Sequence, residues 1–209
     1  MAETVKFASD NAFARDMDLR ADGLACRRGG RLIFEHLSFT LKAGQALRLA
    51  GANGTGKSSL LRQLAGLLPL AAGTLSHAIS PSRHVHYLGH DDGLKAALSV
   101  AETLAFDAAL AQSARPAHLL ADLGLAGSDW QYVGDLSAGQ KRRLSLARLL
   151  LDARPLWLLD EPLTALDASG RKLVEDLAEA HLARGGMIVA ASHEVLAFAD
   201  NELRLGDRP

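Results

Sequence analysis

The residues best suited to chemistry lie in four short stretches. Gly51-Ala52-Asn53-Gly54-Thr55-Gly56-Lys57-Ser58 matches GxxxxGK[ST] in full, and Ser59 continues it. Glycines let the chain curl so that successive N–H groups point inward, and the start of a following helix adds its dipole. Such a loop cradles a nucleotide triphosphate, with Lys57 reaching the β- and γ-phosphates and the Ser58 hydroxyl on Mg²⁺. Leu156-Trp-Leu-Leu-Asp160-Glu161 is an apolar run ending in two acids. Asp160 is suited to hold Mg²⁺ with Ser58, and Glu161 to act as general base toward a water. Leu136-Ser137-Ala138-Gly139-Gln140 opens a second helix with a good N-cap and a glycine that admits an anion to the backbone. His193 follows the apolar run MIVAAS.

These residues need an α/β frame. ALRLA before the loop reads as a strand, and Lys57 to Gly66 as a helix with a Leu60-Leu61-Leu64 face. Upstream, MDLRADGLAC and RLIFEHLSFTL read as strands, the latter with Leu32 and Phe34 in period-2 alternation. His84 to Leu88 reads as a further strand. PLWLLDEP and MIVAAS read as buried parallel strands, and NELRLGD closes the sheet. Between about 92 and 150 the pattern is helical: Ser99-Val-Ala-Glu102 is a capping box, and Ser137 opens a helix through Leu151. Another helix runs from Ser169 to Ala183 and stops at Gly185-Gly186. Strands alternating with helices imply an α/β P-loop NTPase fold with a helical subdomain inserted between strands of the core sheet. Residues 1–16 read as a loose leader.

Composition narrows the function. The 209 residues are 48% apolar and 22% charged, enough for one sizeable core. The charges nearly cancel at −1, which offers no general attraction to nucleic acid. One cysteine, Cys26, fits a reducing compartment. The N-terminal stretch has no apolar signal-like segment, and no apolar run approaches the ~20 residues of a membrane span. Any membrane role passes through other polypeptides. His77, His84, His86 and His90 cluster without acidic or thiol partners at metal-ligand spacing, and read as strand-edge histidines. Trp157 reads as sheet core, and Trp130 with Tyr132 as a cover for the helical insertion.

Taken together, the motifs resemble those of the ABC transporter ATPases over residues 17–206. LSAGQ resembles the family's signature, Leu163-Thr-Ala-Leu166-Asp167 its D-loop, and His193 its switch histidine, which contacts the γ-phosphate. The resemblance implies an ATP hydrolase that works as a head-to-tail dimer. The Gly51–Ser59 loop of one copy and Ser137, Gly139 and Gln140 of the other then grip one ATP. The longer stretches around the motifs are similar to the ATP-binding subunits of the haem-exporter complex of cytochrome c maturation. That likeness implies integral-membrane partners, a peripheral place on the cytoplasmic face of the bacterial inner membrane, and haem handling in which ATP use releases a haem-loaded chaperone. Two positions depart from the general ABC pattern. Arg28 stands where an aromatic usually stacks on adenine, and His90 where a glutamine usually contacts the nucleotide site; both substitutions fit the haem-exporter branch. The alternatives are the ATPase of another ABC transporter and a soluble ABC machine. A non-hydrolysing sensor is disfavoured by Glu161 and His193.

Overall fold

A computed structural model describes residues 12–77, 84–114 and 116–206. The chain divides into two compact units. One, the sheet unit, takes Ala12–Gly89, Arg154–Pro162 and the chain from Ala178 onward. The other, the helical unit, takes His90–Ala153 and Leu163–Leu177.

The sheet unit contains two sheets. Strands β1 (Asp18–Arg28), β2 (Arg31–Lys42) and β4 (Ala72–His77) form an antiparallel sheet in the order β2-β1-β4. Strands β3 (Ala46–Ala50), β5 (Val85–Leu88), β6 (Leu156–Asp160), β7 (Met187–Ala191) and β8 (Asn201–Arg204) form a parallel sheet in the order β5-β6-β7-β3-β8. Every residue of β6 and β7 is buried, as expected of central parallel strands. Helix α1 (Lys57–Leu64) sends Leu60, Leu61 and Leu64 into one core with Leu19, Leu24 and Leu41 of the antiparallel sheet and Leu47, Leu158 and Val189 of the parallel one. The α1 helix is thereby anchored from both sides, which fixes the loop before it.

The alternation expected in β2 is seen from Leu37 to Lys42 but is lost at its start, where Leu32, Ile33 and Phe34 are all half-buried, because β2 is an edge strand whose register with β1 slips at three places. Bulges redirect side chains that a regular pleat would alternate.

Within the helical unit lie α2 (Val100–Leu110), α3 (Leu119–Asp122), α4 (Ala138–Ser145), α5 (Ala147–Leu151) and the first turns of α6 (Ala168–Ala183). The capping box at α2 is present. Ser99 Oγ accepts from Glu102 N at 3.2 Å, and Glu102 Oε2 accepts from Ser99 N at 2.8 Å. The single helix expected from Ser137 to Leu151 is instead two. Ser145 Oγ donates to Arg142 O at 2.7 Å, and Leu146 N is shared between the carbonyls of Arg142 and Arg143. This local bonding tightens the turn and breaks the ladder at Leu146. Trp130 and Tyr132 do not cover the unit: they are 87% and 58% exposed. It is the main chain beside them that packs, with Gln131 O and Asp129 O accepting from the first N–H groups of α2, and the rings are left outward.

Within the expected leader, Phe13 N donates to Arg184 O at 2.8 Å, and its ring meets His181 edge-on at 5.4 Å. His181 in turn stacks on the buried Trp157 at 3.9 Å, with Nε2 3.2 Å from Pro155 O. Burial pushes the His181 pKa down to about 3. The unfolded chain, with its imidazole near ~6.5, therefore takes up the proton first. Stability is full above that value and falls as pH drops, by about 2 kcal/mol at pH 5 from this group. Urea midpoints at pH 7.5 and 5 should show the loss, and His181→Phe should flatten it. A loss unchanged in that variant would assign the acid sensitivity to carboxylates instead.

Candidate active site

In the sheet unit, the loop Gly51–Gly56 joins β3 to α1. Gly56 is left-handed (φ 106°), and a Cβ there would lie 2.7 Å from Ile33 Cγ2 and 2.8 Å from Phe34 Cδ1, so only glycine lets β2 pack against the loop. Lys57 is buried, and its Nζ donates to Gly51 O at 2.7 Å and Ala52 O at 3.1 Å, which folds the ammonium into the loop. Ser58 is half-buried in the first turn of α1. Ser59 is buried, and its side chain bonds the Cys26 thiol, whose pKa burial raises.

Three elements converge on His193. Its Nε2 lies 2.8 Å from Asn53 Oδ1, 3.4 Å from Glu161 Oε1 and 3.5 Å from Lys57 Nζ. Two acceptor oxygens and the Lys57 ammonium thus face this one ring nitrogen. Glu161 leaves β6 in a left-handed conformation (φ 49°), costly for a residue with a Cβ, and its N–H donates to Ala191 O at 2.9 Å. That turn brings its carboxylate, 20% exposed, to His193. Asp160 is buried at the end of β6, in register with Ala191. Beside the loop, Arg48, Gly51, Thr55, His193, Arg204 and Gly206 border a cleft of about 470 Å³. Arg28 sits at the exposed end of β1, paired in register with Arg31.

The other candidate residues are in the helical unit. Ser137 is the N-cap of α4, and its capping box with Gln140 is reciprocal: Oγ accepts from Gln140 N at 3.2 Å, and Gln140 Oε1 accepts from Ser137 N at 2.9 Å. Gly139 approaches Ala165 closely, since a Cβ would lie 2.9 Å from its carbonyl oxygen. Asp167 caps α6 by accepting from Gly170 N at 2.8 Å and also receives Arg143 Nη2 at 2.5 Å. These bonds, the Gly170 N–H first, hold its carboxyl below the usual range. Ser137, Gly139, Arg143, Asp167 and Ser169 border a cleft of about 620 Å³. His90 is exposed in this unit. Arg143, which bonds Asp167 here, stands in the basic run Lys141-Arg142-Arg143 one turn past the glycine, and that run is its signal in the sequence.

Among the described residues, no three His, Cys, Asp or Glu are grouped to hold a metal. None of their helices is long and apolar enough to cross a membrane. The residues present nonetheless suit Mg²⁺, which takes one or two protein oxygens and completes its shell with phosphate oxygens and water. Ser58 and Asp160 offer hard oxygens of that kind.

Comparison with known proteins places this geometry among relatives. Residues 34–164 match the ABC transporter family model. The chain is 49% identical over 187 residues to the cytochrome c biogenesis ATP-binding export protein CcmA of Cereibacter sphaeroides, covering 90% of this chain and 88% of that protein. Against the protein of the same name from Bradyrhizobium diazoefficiens it is 48% identical over 197 residues, covering 91% and 98%. A solved ATP-binding subunit of an ABC transporter superposes with a TM-score of 0.79 at 23% identity, covering 90% of this chain and 85% of that one; at that identity the likeness concerns the fold.

Proposed function

The chain belongs to the ABC transporter family of ATP-binding proteins, and from that premise we propose that it hydrolyses Mg-ATP for a membrane complex that handles haem in c-type cytochrome maturation. The observation that carries the hydrolytic reading is the meeting of Asn53, Lys57, Glu161 and His193 at one point beside the phosphate loop. The near full-length likeness to proteins named for cytochrome c biogenesis supports the biological role.

The mechanism follows from what each group can do. The loop amides and Lys57 hold the β- and γ-phosphates, Lys57 exchanging its carbonyl partners Gly51 and Ala52 for phosphate oxygens. Ser58 and Asp160 would hold Mg²⁺, which neutralises charge on those phosphates. Glu161 takes the proton of the attacking water as the oxygen–phosphorus bond forms and the bond to the β-phosphate oxygen breaks. His193 donates from Nε2 to the γ-phosphate and keeps water and Glu161 in line. Arg28, exposed at the end of β1, is available to lay its planar guanidinium on adenine, and His90, by its place in the family pattern, is assigned to nucleotide contact. Residues 17–206 make up the nucleotide-binding domain, with a helical subdomain at about 92–150. The subunit sits peripherally on the cytoplasmic face of the inner membrane through its integral-membrane partners.

In a strain lacking the chain, the haem-linked absorbance of c-type cytochromes should disappear and return with the wild-type chain but not with Glu161→Gln. Cytochromes that keep their haem in the deletion strain would move the assignment to the ATPase of another transporter.

A further inference from the structure

Arg48 on β3 has no counterpart among the nucleotide motifs. Leu47 and Leu49 on either side of it enter the hydrophobic core, so strand alternation sends Arg48 to the opposite face. Its side chain is only 12% exposed there. Arg48 Nη1 donates to Ser192 O and to Glu194 O, each at 3.3 Å. These are the carbonyls immediately before and after His193. Arg48 Nη2 pairs with the Glu202 carboxylate on β8, which Arg204 Nε also reaches at 2.9 Å.

Two further bonds hold this turn. Ser192 N donates to Leu49 O at 3.2 Å, and Glu194 N to Ser192 Oγ at 3.0 Å. His193, Glu194 and Val195 are exposed, Val195 at 80%, so packing does little to fix them. Yet the His193 imidazole must stay within hydrogen-bond reach of Asn53 and face Glu161. A planar guanidinium can serve two carbonyls and a carboxylate at once in fixed directions, which an ammonium cannot do.

We infer that Arg48, braced by Glu202, is the positioning residue that sets the His193 turn for hydrolysis. The inference rests on His193 acting at the γ-phosphate as proposed above. Misplacing a reacting group by about an ångström costs up to roughly 10²-fold in rate. Among the described residues, Arg48 bonds to Ser192, Glu194 and Glu202 and not to the phosphate-loop amides or Lys57, so ATP affinity should be spared.

The test compares Arg48→Met, which keeps the stem and removes the donors, with the wild-type full chain on Mg-ATP. The expected result is a kcat lower by about 10- to 100-fold with KM within about threefold. In a His193→Ala background the same change should have no further effect, because Arg48 acts through that side chain. The imidazole ¹⁵N resonances of His193 should shift in Arg48→Met. Unchanged kcat in the folded variant, losses that multiply with His193→Ala, or unmoved His193 resonances would each overturn the inference. If Arg48→Met does not fold, Glu202→Gln carries the test, since Glu202 is 37% exposed. It should give a smaller loss in the same direction, again absent without His193. Full turnover in His193→Ala alone would instead remove the hydrolytic role of His193, and the resonances would still report whether Arg48 sets the turn.

Discussion

Glu161→Gln is expected to lower ATP turnover by about 10²- to 10⁴-fold, some 3–5 kcal/mol of barrier, while leaving nucleotide binding intact. The substitution is nearly isosteric. The left-handed backbone at φ 49° and the N–H bond to Ala191 O are main-chain features that it does not touch. A glutamine side chain can occupy the same place beside His193 Nε2, 3.4 Å from the carboxylate oxygen it replaces. What disappears is the capacity to take a proton from water. ATP then persists, and if two copies share each nucleotide, their dimer persists with it. Phosphate release measures the first effect, and gel filtration with ATP the second. Turnover within a few-fold of wild type would remove Glu161 as the base. A chain that elutes only as monomer with ATP would count against the shared-site arrangement.

What could be read from sequence was whatever adjacent residues decide. The phosphate loop, the strand Ala46–Ala50 and the helix after it follow from glycine spacing and apolar period, as do the Ser99–Glu102 capping box and the Ser137 N-cap from hydroxyls placed just before helical stretches. The buried strands of Leu156–Asp160 and Met187–Ala191 were visible as unbroken apolar runs. What could not be read depends on distant partners. Arg48 looks like a polar interruption in a strand; its partners Ser192, Glu194 and Glu202 are 144, 146 and 154 residues away. Trp130 and Tyr132 have the composition of a cover, but main-chain bonds to the start of α2 decide which way they face. The break at Leu146 turns on one hydroxyl choosing the Arg142 carbonyl over solvent, which no apolar pattern encodes. Asp167 was read for its place in a nucleotide motif, and its structural work, capping α6 while holding Arg143, is superimposed on that.

Gly139→Val should leave a single chain able to bind ATP yet unable to form the nucleotide-held dimer. Gly139 lies in the helical unit, and a Cβ there would come within 2.9 Å of Ala165 O, so the start of α4 must shift against the D-loop. Lys57→Ala should fail at the earlier step, because the phosphates lose their buried cation. The two defects permit a test that neither gives alone. If each ATP is gripped by the loop of one copy and the α4 start of the other, a mixed dimer of the two variants has one site with both lesions and one with neither. That follows from a head-to-tail pairing with two equivalent sites. With Glu161→Gln on both chains to prevent turnover, each variant alone should elute as monomer. An equimolar mixture should yield a dimer peak containing about one ATP per pair of chains, half of the roughly two expected when both loops and both α4 starts are intact. Were the complete site built within one chain, every copy in the mixture would still be defective, and no nucleotide would co-elute with a dimer.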